Sequence, residues 1–317
     1  MYKSFFNFHE KPFSLRPDPA FLYLGGQHKH ALTILNYGLS SEAGLTVITG
    51  EVGAGKTTLI YRLLENLDDN VNVGMISNAQ GAFGELLQWV MMAFELEYKD
   101  KTKTELYQFF NDYLIQQYAK NKRAVLIIDE AQNLNLDTLE ELRMLTNINS
   151  GKHMLLQLVL VGQPELLETL RRPELRQLAQ RVSVDYHLHS MRLSETVAYI
   201  RHRIKHAGGD PRLFHPYACA VVHYYSQGIP RLINTLCDFA LVYAFAEEKR
   251  LIDAQLILDV IKDKQQSGIF PMPKHENEEA KKIRHYLQEK LQLEISLESL
   301  DREGAGEGLD LSFLERY

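Results

Sequence analysis

The sequence predicts an α/β protein: a parallel sheet of five strands covered by helices, then a small all-α domain and a short tail. Three observations predict it. Short β-rich runs that are apolar on both faces alternate with segments of helical spacing, as buried parallel strands and their crossover helices do. The alternation stops near residue 190, beyond which only helical patterns occur. Composition changes again beyond Gln265, which divides the chain into 1–190, 191–265 and 266–317.

The candidate strands are "LTVIT" (45–49), "VNVGMIS" (71–77), "AVLIID" (124–129), "LLQLVLV" (155–161) and "VSVDYHL" (182–188). After the first, Leu59, Ile60, Leu63, Leu64 and Leu67 form a one-sided stripe, the mark of a helix laid on a sheet. "SETVAYIRHRIKHAGG" opens the helical part with Ser194 as the expected N-cap and Gly208-Gly209 as the stop. "HPYACAVVHYYSQG", "PRLINTLCDFALVYAFAEE" with Pro230 in its first turn, and "DAQLILDVIKDK" complete about four helices. "SGIFPMPKHENEE" reads as a linker and "DREGAGEGLD" as an acidic, glycine-rich stretch. Between them, "EEAKKIRHYLQEKLQL" carries a narrow stripe of Ile283, Leu287 and Leu291, expected either in a mobile tail or in a helix that docks a partner.

Of the 317 residues, 45% are hydrophobic and 24% charged, an ordinary globular profile. The net charge of −6 does not fit a general nucleic-acid binder, although a local basic face remains compatible with it. Cys219 and Cys237 sit in apolar helical stretches and read as buried small hydrophobes in a reducing compartment. "MYKSFFNFHEKPF" has neither the apolar core nor the cleavage site of a secretory leader, and no run reaches membrane-spanning length, so a cytoplasmic location is expected.

The chemistry concentrates at "VITGEVGAGKTTLIYRLLENL" (47–67). Gly50, Glu51, Val52, Gly53, Ala54, Gly55, Lys56 and Thr57 match G-x-x-x-x-G-K-[ST], with Thr58 following. Glycines let successive backbone N–H groups close round a phosphate, and the helix beginning there adds its positive end. Lys56 is expected on the β- and γ-phosphates of a nucleotide, and the Thr57 hydroxyl on Mg²⁺. "AVLIIDEAQ" ends a buried strand in Asp129, for the metal, and Glu130, for orienting and polarising the attacking water. Gln163 stands just beyond another strand, placed to sense the γ-phosphate or hold the water. Arg231 opens a helix of the second domain, where a cation can close over the triphosphate.

Other polar clusters carry less. His187 and His189 alternate on a strand, and His202 and His206 share a helix face, but sequence supplies neither pair with further ligands. Arg201, Arg203 and Lys205 read as a basic patch, solvated or open to DNA phosphates.

These motifs together resemble the AAA+ ATPases, and more narrowly the ExeA-like branch, the A component of the general secretion pathway and its pilus-biogenesis relatives. The stretches that carry the resemblance are "PFSLRPDPAFLYLGGQHKHALTILNYGL", "GEVGAGKTT", "LIIDEAQNL", "LVLVGQPEL", "RPELRQLAQRV" and "GIPRLINTLCDFAL", spanning about residues 1–265. It implies a P-loop NTPase core of the ASCE type with five parallel strands and a helical lid. It implies ATP and Mg²⁺ as ligands, with Lys56 and Thr57 as Walker A, Asp129 and Glu130 as Walker B, Gln163 as sensor 1 and Arg231 as sensor 2. By the same analogy Asn36 and Tyr37 border the adenine. A neighbouring subunit usually supplies an arginine in this family. Arg181, just before the last strand, is the first candidate and Arg176 the second.

The expected activity is ATP hydrolysis in a homo-oligomer, hexameric rings included, that drives an envelope secretion, pilus or exopolysaccharide export machine. The full-length secretion protein continues into a membrane span and a periplasmic peptidoglycan-binding module. The expectation here is therefore closer to the shorter relatives that act from the cytosolic side. Two other readings stand beside it: a DNA-associated regulator of the transposition type, and a nucleotide-gated scaffold, which has no need of Glu130.

Overall fold

The computed structural model describes residues 1–41, 43–77, 86–150, 153–267, 278–291 and 314. Contacts group the chain into two units. One holds Gly26–Val52 and Lys56–His189; the other holds Met1–Gly25, Gly53–Gly55 and Ser190–Tyr317.

The first unit is built on five parallel strands: β1 (Leu45–Gly50), β2 (Val71–Ile76), β3 (Arg123–Ile128), β6 (Leu156–Gly162) and β7 (Val182–Leu188), in the order β2-β3-β6-β1-β7. Every residue of β1 and β6 is buried, as is every residue of β3 after Arg123. That is why these runs are apolar on both faces. β2 and β7 are the edges and are only partly buried. A two-stranded antiparallel ladder, β4 (Asn149–Ser150) with β5 (His153–Met154), precedes β6 and was not expected from sequence.

Among the described residues, helices α2 to α8 accompany these strands. α1 (Tyr2–Phe5) belongs to the other unit; α2 (Gly26–Ser40) packs on β7 and α3 (Lys56–Leu64) follows β1. α4 (Leu86–Ala93) packs on β2, and α5 (Lys103–Ala119) on β3. α6 (Leu136–Leu145), α7 (Glu165–Leu170) and α8 (Arg176–Ala179) complete the set. The stripe on α3 is real but short: Leu59, Ile60 and Leu63 are buried, whereas the helix stops before Leu67. α5 opens on a capping box, in which Glu105 accepts the Thr102 N–H at 2.7 Å and Thr102 Oγ1 accepts the Glu105 N–H at 3.3 Å.

The second unit contains α1 with α9 (Leu193–His206), α10 (Pro216–Ser226), α11 (Pro230–Ala246), α12 (Ala254–Ser267) and α13 (Glu278–Leu291). Residues 1–25 were assigned by sequence to the sheet half; by contacts they group with the helices. The cause is aromatic burial: Tyr2, Phe6, Phe8, Phe13 and Phe21 join the core of α9–α13. Cys219 and Cys237 are free thiols buried in that core, and burial pushes the Cys219 thiol up to about 12.

Three local expectations change. α9 begins one residue before Ser194, with Arg192 at the N-cap, because the Glu195 carboxylate accepts the Arg192 N–H at 3.1 Å. Arg203 is not part of a surface patch. It is 7% exposed, donates from Nε to Pro12 O at 2.6 Å and from Nη2 to Ser14 O at 3.1 Å, and lies 4.5 Å over the Phe21 ring. The α13 stripe is used internally: Ala280, Ile283 and Leu287 are buried in the core of their own unit, and Leu291 packs against it. Each fully buried Ile or Leu contributes roughly 1.5–3 kcal/mol. Glu279 adds a polar tie, accepting the Leu193 N–H at 3.2 Å. Of the expected linker and the acidic, glycine-rich stretch, residues 268–277 and 301–310 lie outside the described residues. Among the described residues no helix is long and apolar enough to cross a membrane.

Arg203 therefore ties the N-terminal segment to α9. Arg203→Ala leaves the buried Pro12 carbonyl and the half-buried Ser14 carbonyl without their donor and is expected to cost about 2–4 kcal/mol. The check is the midpoint of urea unfolding; an unchanged midpoint removes Arg203 from the account of this unit.

Candidate functional site

Parallel pairing brings three strand ends together. Thr49 of β1 pairs with Gly162 of β6, and Ile128 of β3 with Leu160 of β6. The segments that leave these strands, Gly50–Lys56, Asp129–Glu130 and Gln163, thus emerge side by side at the carboxyl edge of the sheet, where open α/β sheets bind ligands.

After β1 the chain turns through Gly53 at φ 82° and Gly55 at φ 97°, left-handed backbone that side chains other than glycine resist. Glu51 and Val52 are exposed, Ala54 is buried and Thr58 is half-buried. α3 then starts at Lys56, so its N-terminal N–H groups face the turn. Lys56 is 6% exposed and donates to Gly50 O at 2.7 Å and Glu51 O at 3.0 Å. Burial lowers its basicity, against the pull of Glu130, Asp129, Glu51 and Glu165.

Thr57 Oγ1 donates to Asp129 Oδ2 at 2.7 Å, and the other oxygen of Asp129 accepts the Glu130 N–H at 2.9 Å. Asp129 is 3% exposed, and burial raises its carboxyl above the usual carboxylate range, partly offset by the Thr57 hydrogen bond. A hydroxyl and a carboxylate in contact are hard oxygen donors of the kind Mg²⁺ takes. A buried ammonium held only by carbonyls suits a phosphate. The residues present fit both ligands. Among the described residues no group of three or more His, Cys, Asp or Glu forms a metal cluster of its own.

Glu130 has φ 55° and a half-buried side chain that accepts from Gln132 Nε2 at 2.6 Å and Gln163 Nε2 at 3.3 Å. The sequence reading gives Gln132 no role. Its one available signal was its position two residues beyond the acidic pair. His187 is not arranged as a metal ligand: its Nδ1 lies 2.9 Å from Thr49 Oγ1, and its ring meets that of His189 at 4.6 Å. Burial and then His189 lower its basicity.

Arg181 donates to Thr146 O at 3.1 Å and also to Asn147 Oδ1, whereas Arg176, the first residue of α8, is exposed. Arg231 is in the first turn of α11; its N–H donates to Gly53 O at 3.2 Å within the helical unit. Asn36 and Tyr37 lie on α2 and are exposed.

Comparison with known proteins points to the same fold. A family profile described as an AAA domain matches residues 39–170. General secretion pathway protein A of Aeromonas hydrophila is 44% identical over 247 residues, which is 78% of this chain and 45% of that protein. The chain thus spans just under half the length of that relative. Among solved structures, the ORC2 protein of Aeropyrum pernix in ADPNP and ADP complexes superposes with a TM-score of 0.62 at 18% identity, covering 80% of this chain and 72% of its own. The ORC1 protein of the same organism in complex with DNA gives 0.56 at 16%, covering 80% and 69%. At such identities these two likenesses establish the fold alone. With a glycine turn, a buried lysine and an acidic strand end at one edge of this sheet, the chain has a P-loop AAA+ fold, carries an AAA domain over residues 39–170 and is similar over 78% of its length to general secretion pathway protein A.

Proposed function

We propose that the chain binds Mg²⁺-ATP at the edge formed by β1, β3 and β6 and hydrolyses it to drive a partner in an envelope secretion, pilus or exopolysaccharide export machine. The observation that carries the proposal is the Thr57–Asp129 hydrogen bond of 2.7 Å beside buried Lys56, with Glu130 next in the chain.

In this reading the N–H groups of Gly50–Thr58 hold the phosphates. Lys56 exchanges its two carbonyl acceptors for phosphate oxygens, which restores a negative partner to a buried cation. Thr57 and Asp129 hold the Mg²⁺, which when bound offsets the charge of the transferring phosphoryl group. Glu130 accepts a hydrogen bond from the attacking water. The water oxygen bonds to the γ-phosphorus as the bond to the ADP oxygen breaks. Gln163 steadies the same region, and Arg231 is proposed as a cation for the triphosphate.

The family resemblance supports a homo-oligomer in which a neighbouring subunit supplies an arginine. Arg176, being exposed, is freer to reach across than Arg181, whose guanidinium is engaged with Thr146 and Asn147. A cytosolic site of action is part of the same proposal. The DNA-associated reading loses support with Arg203, which leaves the basic patch for the core.

Three measurements test it. Lys56→Ala removes a buried charge from its partner and is expected to weaken ATP binding by about 2–5 kcal/mol in a titration; unchanged affinity refutes the phosphate role. Glu130→Gln is expected to keep ATP affinity while slowing hydrolysis by roughly 10²–10⁴-fold. Arg176→Ala and Arg181→Ala subunits, mixed with the parent protein, are expected to depress activity more than dilution does wherever the arginine acts in trans.

A further inference from the structure

We infer that Gln132 is the positioning residue of this site, holding the Glu130 carboxylate so that one oxygen is reserved for the attacking water. The inference rests on the reading of Glu130 given above.

Gln132 sits in the 3₁₀ turn Ala131–Asn133 that follows β3. Its side-chain amide makes two bonds in opposite directions. Oε1 accepts the backbone N–H of Gln163, at the end of β6, at 3.0 Å; Nε2 donates to Glu130 Oε2 at 2.6 Å. The first bond settles the orientation of the amide. A backbone N–H needs an acceptor, so the carbonyl end must face β6 and the amino end must face Glu130. The approach is close enough that a Cβ at Gly162 would lie 3.0 Å from Oε1. β3 and β6 are paired neighbours, so Gln132 spans the gap where their ends diverge.

Gln163 Nε2 donates to the same oxygen of Glu130, at 3.3 Å. Two amides converging on Oε2 fix the rotation of the carboxylate about its last bond and direct Oε1 away from both. A free glutamate would distribute itself over several rotamers, and only some would meet a water in line with the phosphate. Gln132 thus joins two jobs in one group: it locks the end of β6, where Gln163 begins, and it sets the angle of Glu130. Its two bonds go to Glu130 and Gln163, so it acts through them.

The isosteric Gln132→Glu separates these jobs. A carboxylate at 132 still accepts the Gln163 N–H, but it can no longer donate to Glu130 and repels it. The expected result is a kcat for ATP hydrolysis lowered by about tenfold or more with KM and ATP affinity unchanged, the mark of an interaction needed only in the transition state. In a Glu130→Gln background the same substitution is expected to lower kcat no further. Should Gln132→Glu fail to fold, Gln132→Ala read by the same split replaces it. A parental kcat, or a loss of ATP affinity equal to the loss of kcat, overturns the inference. If Glu130→Gln itself hydrolyses ATP at the parental rate, the proposed function fails instead; a slow Glu130→Gln beside a fully active Gln132→Glu condemns the positioning role alone.

Discussion

The site depends on one topological constraint: β6 lies between β1 and β3. Parallel pairing on both sides of β6 brings the ends of all three strands to one edge. Because all three strands run parallel, the glycine turn after β1 and the acidic pair after β3 leave the sheet at the same edge, one strand apart. There a hydroxyl at residue 57 reaches a carboxylate at residue 129 across 72 positions of sequence. The burial of the central strands keeps the arrangement in place, because their backbone N–H and C=O groups have no water to pair with outside the ladder.

Electrostatics follows from the same burial. Lys56 and Asp129 are both nearly inaccessible, and both are moved toward their neutral forms by loss of solvent. In the proposed reading each answers to a ligand of opposite sign, a phosphate for the ammonium and a divalent cation for the carboxylate. The pair is costly to bury alone, and in the proposed reading a magnesium–nucleotide offsets both charges at once. Glu130 is handled differently: it stays half-buried and is held by amides instead of by charges.

The helical unit solves a separate problem. Its own helices leave room that the N-terminal aromatics fill, and Arg203 binds the carbonyls of the segment that carries them. An arginine between Arg201 and Lys205 looks like surface charge in the sequence, and only the path of residues 12–14 reveals it as a strut. α13 shows the same principle. Its narrow stripe was ambiguous between a free tail and a docking helix, and packing on α10 used it within the chain.

Sequence alone determined the parallel α/β class, the helices beyond residue 190, and the choice of Gly50–Thr57, Asp129 and Glu130 as candidates, because these are written in local signals. Apolar runs, glycine spacing and an acidic strand end are each legible within about ten residues. Tertiary structure alone decided the strand order, the grouping of residues 1–25 with the helices, the burial of Arg203 and the clamp made by Gln132. The physical reason is that each of those depends on partners far away in the chain. A glutamine two residues past an acidic pair becomes a positioning group only when β6 brings Gln163 against it, and no local pattern records that meeting.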